Sequence, residues 1–360
     1  MSLRELRRRA GRFVIAGFTG ETAPDDLRRL VNEFDLAGVI LFGRNVVQPA
    51  QVAELCRECA ALATDWPFWI SVDQEGGRVA RLRAPFTEWP PATTLGRAGD
   101  EGLAVRYATT LATELRAVGI NMDYAPVLDV HTNPANPVIG DRALSHDPKV
   151  VAALGAAIIK TMQGQGVVAC GKHFPGHGDT HVDSHEALPI VEHERRRLDQ
   201  VEFVPFKAAI EAGVATIMTA HVMVPAVDQH NVASFSPTVV TRILKETLGF
   251  GGVVISDDLG MKAVSADHTA GEASVKAIAA GCDTVLLCNS TTDEQWTAIE
   301  AVIRAVERGE ISQKRMDDAW RRQREVKERF AALPPAAPPG LGVIGSDPHR
   351  AVARDMAAWV

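Results

Sequence analysis

The residues most able to do chemistry crowd into one stretch, Lys172-His173-Phe174-Pro175-Gly176-His177-Gly178-Asp179-Thr180-His181-Val182-Asp183-Ser184-His185. It carries four histidines at a constant spacing of four, with Asp179 and Asp183 among them. On a helix that spacing would stack imidazoles and carboxylates on one face, as in a metal site. The stretch does not read as a helix. Pro175 lacks an amide donor, and Gly176 and Gly178 each lower helix stability. Nor does the chain contain a His-x-His pair, the ligand pattern that metal-dependent barrel hydrolases place on an early strand. The expectation is a loop with neither a metal nor another cofactor. Within it, Asp183 and His185 are two residues apart and point the same way if the backbone is extended. The carboxylate can then take one ring N–H, fix the tautomer and raise the basicity of the other nitrogen. Read alone, the pair is equally a solvated loop histidine beside an acid.

Eight short apolar runs are placed to carry such residues: FVIAGF (13–18), GVILF (38–42), FWISVD (68–73), INMDYAPVLDV (120–130), VVACGKHF (167–174), TIMTAHV (216–222), GVVISDD (252–258) and TVLLC (284–288). Most are continuously apolar, as expected of parallel strands buried on both faces. Helix-like segments lie between them, with Asp100, Ser236 before Pro237, and Ser312 as N-caps. This alternation predicts an α/β fold, a single-domain (β/α)8 TIM-type barrel. Element counting does not separate it from a doubly wound open sheet.

Polar clusters follow five of the runs: Asp73-Gln74-Glu75 with Arg78 and Arg81, Asn133 with Asp141-Arg142, the histidine stretch, His221, and Asp257-Asp258. In a barrel these are the carboxyl ends of the strands, where active sites are built. Purely structural pairings are also available: Arg142 with Asp141, and Arg78 or Arg81 with Glu75.

The composition, 46% hydrophobic and 23% charged, is that of a globular protein with a substantial core. A net charge of −7 argues against nucleic acid or an anionic membrane as the main partner. The five cysteines give an odd count, three of them in apolar runs, and read as free buried thiols. FVIAGF is too short for a signal peptide and no run is long enough for a bilayer, so a cytoplasmic location is expected. Residues 1–333 are assigned to the barrel, and 334–360 to a proline-rich linker and short tail docked on it. Oligomeric state is not legible; a monomer or weak dimer is the working expectation.

With KHFPGHGDT…DSH, SVDQEGGRVARL, GDRALS and ISDDLGM together, the chain resembles the bacterial β-N-acetylglucosaminidases of glycoside hydrolase family 3, from about residue 12 to residue 330. The resemblance implies an exo-acting retaining glycosidase. Asp257 matches the nucleophile, a choice between Asp257 and Asp258 that the strand pattern leaves open. His185, backed by Asp183, matches an unusual histidine acid–base, and Asp258 becomes a supporting residue. Sugar binding carries over to Asp73, Arg81, Arg142, Lys172 and His173. The implied partner is an N-acetylglucosamine-containing glycoside or muropeptide from cell-wall recycling. A family-3 glucosidase or xylosidase, and a non-catalytic carbohydrate-binding barrel, are the competing readings. His177 and His181 receive no role, and His221 divides evenly between pocket wall and buried structure.

Overall fold

The apolar runs form eight parallel strands: β1 (Val14–Gly17), β2 (Gly38–Leu41), β3 (Trp69–Val72), β4 (Met122–Asp123), β5 (Val168–Phe174), β6 (Thr216–Thr219), β7 (Val253–Asp258) and β8 (Thr284–Leu287). The computed structural model describes residues 2–63, 66–184, 188–332 and 338–360. Each strand pairs in parallel with the next, and β8 returns to β1, closing the barrel. Closure excludes the doubly wound open sheet.

The strands are apolar throughout because each serves two cores. Ile15, Ile40, Trp69, Met122, Cys170, Met218, Ile255 and Leu286 face the barrel interior. Their neighbours Val14, Val39, Ile70, Ala169, Ile217, Val254 and Val285 face the surrounding helices. Alternate residues thus fill opposite sides of the same sheet. Two polar groups inside the barrel satisfy each other: Ser71 Oγ lies 2.9 Å from Tyr124 Oη and donates to the Val39 carbonyl.

The three expected caps are present. Asp100 accepts from the Gly102 amide, Ser236 from Val239 and Ser312 from Arg315. The fourth strand is shorter than its run, because Pro126 has no amide to donate. The chain nonetheless stays beside β5. The Ala125 and Pro126 carbonyls accept from Cys170 and Lys172, and the Leu128 amide donates to the Lys172 carbonyl at 2.6 Å.

A C-terminal helix, Asp347–Ala357, buries Val352, Ala353 and Met356 in the main core and lies against the helix Glu101–Ala117. Buried Glu114 ties it down, accepting from the Gly345 amide at 2.9 Å and pairing with His349 Nδ1 at 2.8 Å. All five cysteines are buried and free. Among the described residues no helix is long and apolar enough to cross a membrane.

Candidate active site

The carboxyl ends of the strands enclose a pocket of about 390 Å³. Asp73, Arg81, Arg142, Lys172, His173 and Asp257 all line it, the first three from the segments after β3 and β4 and the last three from the ends of β5 and β7 themselves. Its size falls in the range of small-ligand sites.

The floor is a network of charge. Lys172 Nζ donates to Asp73 Oδ1 at 2.7 Å and pairs with Glu75 Oε1 at 2.6 Å. Arg142 grips Glu75 bidentately, with both N–H···O distances 2.9 Å. Burial favours a neutral Glu75, but Arg142 and Lys172 outweigh it and hold the carboxyl well below the usual range. Burial likewise disfavours the Lys172 ammonium, and Asp73 and Glu75 more than restore it. Arg81 stands 3.7 Å from Asp73 and over the Phe42 ring. The structural pairings considered from sequence change partners. Arg142 takes Glu75 instead of Asp141, Arg78 lies 3.6 Å from Asp141, and Arg81 faces Asp73. The cause is burial: Glu75 points under the pocket, whereas Asp141 is on the surface.

The two aspartates at the end of β7 differ in what surrounds them. Asp258 is tied up: its oxygens accept from the Gly260 amide at 3.1 Å, the Cys288 amide at 3.0 Å and the Asn289 side chain at 3.3 Å. Burial pushes its carboxyl up. Among the described residues Asp257 accepts only from the Asp258 amide, at 2.8 Å. Burial opposes its charge, but His173, His221, that amide and Lys172 together hold its carboxyl below the ordinary range. Asp257 is therefore the ionised aspartate with oxygen lone pairs open to the pocket.

The three described histidines of the opening stretch diverge instead of converging. His173 turns Nδ1 to buried Asp129 at 2.7 Å, and the His177 amide donates to the other Asp129 oxygen at 2.6 Å. His177 contacts Thr180 and Ser184, while exposed His181 contacts Asn133. The loop lies flush on the segment after β4 because of its glycines. A Cβ on Gly178 would sit 1.9 Å from the Val130 carbonyl oxygen, and Gly176 has φ +125°. Asp179 fastens the loop, accepting from Thr132 Oγ1 at 2.7 Å and bonding His193. Asp183 is half-buried and does not line the pocket, whereas its neighbour Ser184 does. His185 lies outside the described residues.

His221 is structural. Fully buried, it contacts Ser234 Oγ at 2.7 Å and the Asp258 carbonyl at 3.1 Å, bracing the backbone behind Asp257. Sequence reading missed Asp129, the carboxylate that orients His173, although an acid inside the apolar run VLDV was a signal. It also cast Glu75 as a mere pairing partner, and missed Phe42, Met218, Met261, Lys262, Cys288 and Asn289 in the pocket wall. Those residue types announce nothing until the barrel closes.

The family model for the glycosyl hydrolase family 3 N-terminal domain matches residues 6–326. A β-hexosaminidase of Thiobacillus denitrificans is 45% identical over 278 residues, covering 75% of this chain and 76% of its own length. The structure of a family 3 β-N-acetylglucosaminidase from Paenibacillus sp. superposes with TM-score 0.93 at 42% identity, over 99% of this chain and 68% of that one. NagZ from Neisseria gonorrhoeae, solved with N-trifluoroacetyl-D-glucosamine, gives TM-score 0.78 at 30% identity, over 96% and 97% of the two chains.

Proposed function

Because this chain belongs to glycosyl hydrolase family 3, we propose that it is an exo-acting, retaining β-N-acetylglucosaminidase. It acts on N-acetylglucosamine-containing peptidoglycan fragments during cell-wall recycling in the cytoplasm. The observation that carries the reading is Asp257, held ionised in the same pocket that the Asp73–Lys172–Glu75–Arg142 network lines. The activities of the β-hexosaminidase relative and of the family 3 β-N-acetylglucosaminidase structure support the substrate class.

The terminal sugar sits against the network, which supplies donors and acceptors for its hydroxyls. Asp73 accepts, while Arg81, Arg142, Lys172 and His173 donate. This fixes the anomeric carbon above Asp257. A carboxylate oxygen attacks that carbon as the bond to the leaving oxygen breaks, giving a covalent glycosyl-enzyme. His185, as imidazolium, gives its proton to the leaving oxygen. As imidazole it then takes a proton from the incoming water, which displaces Asp257. Asp183 stabilises the cationic ring between the steps.

The test compares nitrophenyl β-N-acetylglucosaminide with the matching β-glucoside, using wild type and Asp257→Ala, each with and without EDTA. Cleavage of the acetamido sugar only, unaffected by EDTA and lost in the variant, is expected. Preference for the glucoside, or no cleavage by wild type, would overturn the proposal. Release of N-acetylglucosamine from its disaccharide with anhydro-muramic acid tests the recycling role.

A further inference from the structure

One cation of the pocket has no part in that chemistry. Three of the lysines and arginines that line it face acids: Lys172 meets Asp73 and Glu75, Arg142 meets Glu75, and Arg81 stands by Asp73. Lys262 lines the pocket too, and among the described residues no acid pairs with it. It opens the short helix Lys262–Ser265 that follows β7 and Asp257. The backbone is fixed on both sides of it. The amide of buried Met261 donates to the Asp258 carbonyl at 3.1 Å, and that of buried Ala263 to the Ser184 carbonyl at 3.2 Å. Lys262 itself is exposed.

Depth separates Lys262 from the other three cations. Lys172 and Glu75 are 2% and 5% exposed, so the charge network is the closed end of the pocket. The exposed lining residues are Gly260, Lys262 and Asn289, which mark the solvent end. An exo-acting enzyme that seats the terminal sugar at the closed end leaves the rest of the glycoside at the open one. Two further cavities, of about 510 and 850 Å³, adjoin the pocket there through Asn289, the larger also through Gly260. Their walls carry acids, Asp26 and Asp293 in the first and Asp267 and Asp293 in the second. The rim between is positive. Arg44 stands behind Asn289, donating to its Oδ1 at 2.9 Å and to the Phe18 and Cys288 carbonyls, and among the described residues it too pairs with no acid. In a chain of net charge −7, two uncompensated cations at the rim run against the overall field.

We infer that Lys262 is a specificity residue: its ammonium takes a carboxylate on the leaving group, so that the enzyme prefers anionic aglycones to neutral ones. The inference rests on the β-N-acetylglucosaminidase reading and deepens it. In a fragment containing muramic acid that carboxylate is the free lactyl group or, where a peptide amidates the lactyl group, a carboxylate of the peptide. The acids of the adjoining cavities repel either anion and favour its place at the rim. A lysine suits the task, since a point charge on a flexible stem follows an anion whose position differs between the two fragments. Arg44 adds charge without contact, three of its donors being occupied. The carboxylate is remote from the bond that breaks and is held alike before and during reaction, so its loss acts through KM.

The experiment reads a preference between substrates, which loss of packing alone does not change. Three are compared: the disaccharide of N-acetylglucosamine with anhydro-muramic acid, its neutral lactyl methylamide, and the same disaccharide amidated with the dipeptide Ala-Glu. Wild type, Lys262→Met, Lys262→Glu and Lys262→Arg are assayed for release of N-acetylglucosamine. Wild type is expected to favour at least one acidic substrate over the methylamide by about 3- to 10-fold in kcat/KM, mostly through KM. Lys262→Met should abolish that ratio, Lys262→Glu invert it and Lys262→Arg restore most of it, while added salt shrinks it. Which acidic substrate shows the effect identifies the carboxylate, and either supports the inference. No preference in wild type, a preference that survives Lys262→Met, or equal losses on all three substrates would overturn it. A wild type that cleaves none of the three would instead remove the reading on which it rests.

Discussion

Two clusters of buried charge occupy opposite ends of the barrel, and they are alike in composition. At the carboxyl ends of the strands Asp73 and Glu75 meet Lys172 and Arg142. At the amino ends Asp283, just before β8, and Asp318 meet Lys245 and Arg315. Each sets two acids against lysine and arginine at hydrogen-bonding range, and Arg321 and Arg322 add to the lower one through Asp318. The lower cluster closes on itself and on backbone. Asp283 Oδ2 accepts from the Val254 amide at 2.9 Å, and Arg315 donates to the carbonyls of Ile278, Gly281 and Cys282. It fastens the helix Gln313–Ala332 to the barrel. The upper cluster opens onto a pocket that Asp257 also lines. Charge inventory therefore identifies neither; position relative to the strand ends separates a site from a brace.

The sharpest way to break this comparison is to remove one acid from each end. Asp257→Ala should lower kcat by about 10⁴-fold, the order seen when a nucleophile is removed, with a near wild-type denaturation midpoint. Asp283→Asn should do the reverse. Leaving Lys245 and Arg315 without their buried partner costs about 3–5 kcal/mol in urea unfolding, while kcat of the folded fraction is retained. Comparable kcat losses in both variants would dissolve the distinction.

Smaller effects refine it. Asp73→Asn leaves Lys172 paired with Glu75 and should lower kcat/KM by about 10- to 100-fold with little change in unfolding. At the amino end, buried Lys327 donates to the Ala37 and Pro67 carbonyls beneath Trp69, and burial pushes its ammonium down to about 7. Its folded value lies below the unfolded one, so the unfolded chain binds more protons between pH 7 and about 10. Stability should therefore rise with pH across that window. Lys327→Met should show a flatter profile in thermal unfolding, and an unchanged slope would contradict the assignment.

What the sequence disclosed follows the same division. The barrel was legible because strands buried on both faces must be apolar at every position, as in VVAC or GVVI. The place of the pocket was legible because polar groups follow those runs at one end, while the choice of Asp73, Arg81, Arg142, Lys172, His173 and Asp257 within it came with the family resemblance. The roles of Asp129 and Glu75 were not legible, although VLDV marked the first and the second stood in a polar cluster, since what makes them important is the partner each meets across the barrel. The periodic histidines would be a ligand set only on a helix, which Pro175 and the glycines argue against, and His173, His177 and His181 turn to Asp129, Ser184 and Asn133. The choice between Asp257 and Asp258 depended on which carboxylate the backbone amides occupy, which no spacing records.

The central claim is that Asp257 is the atom-bonding residue of the upper site. It is tested most directly by trapping the enzyme with a 5-fluoro N-acetylglucosaminyl fluoride and locating the label by peptide mass spectrometry. The account predicts one sugar per chain, on the peptide containing Ile255-Ser256-Asp257-Asp258 and at Asp257 within it. A label on Asp258 or Asp73, or an active enzyme that forms no adduct, would contradict it.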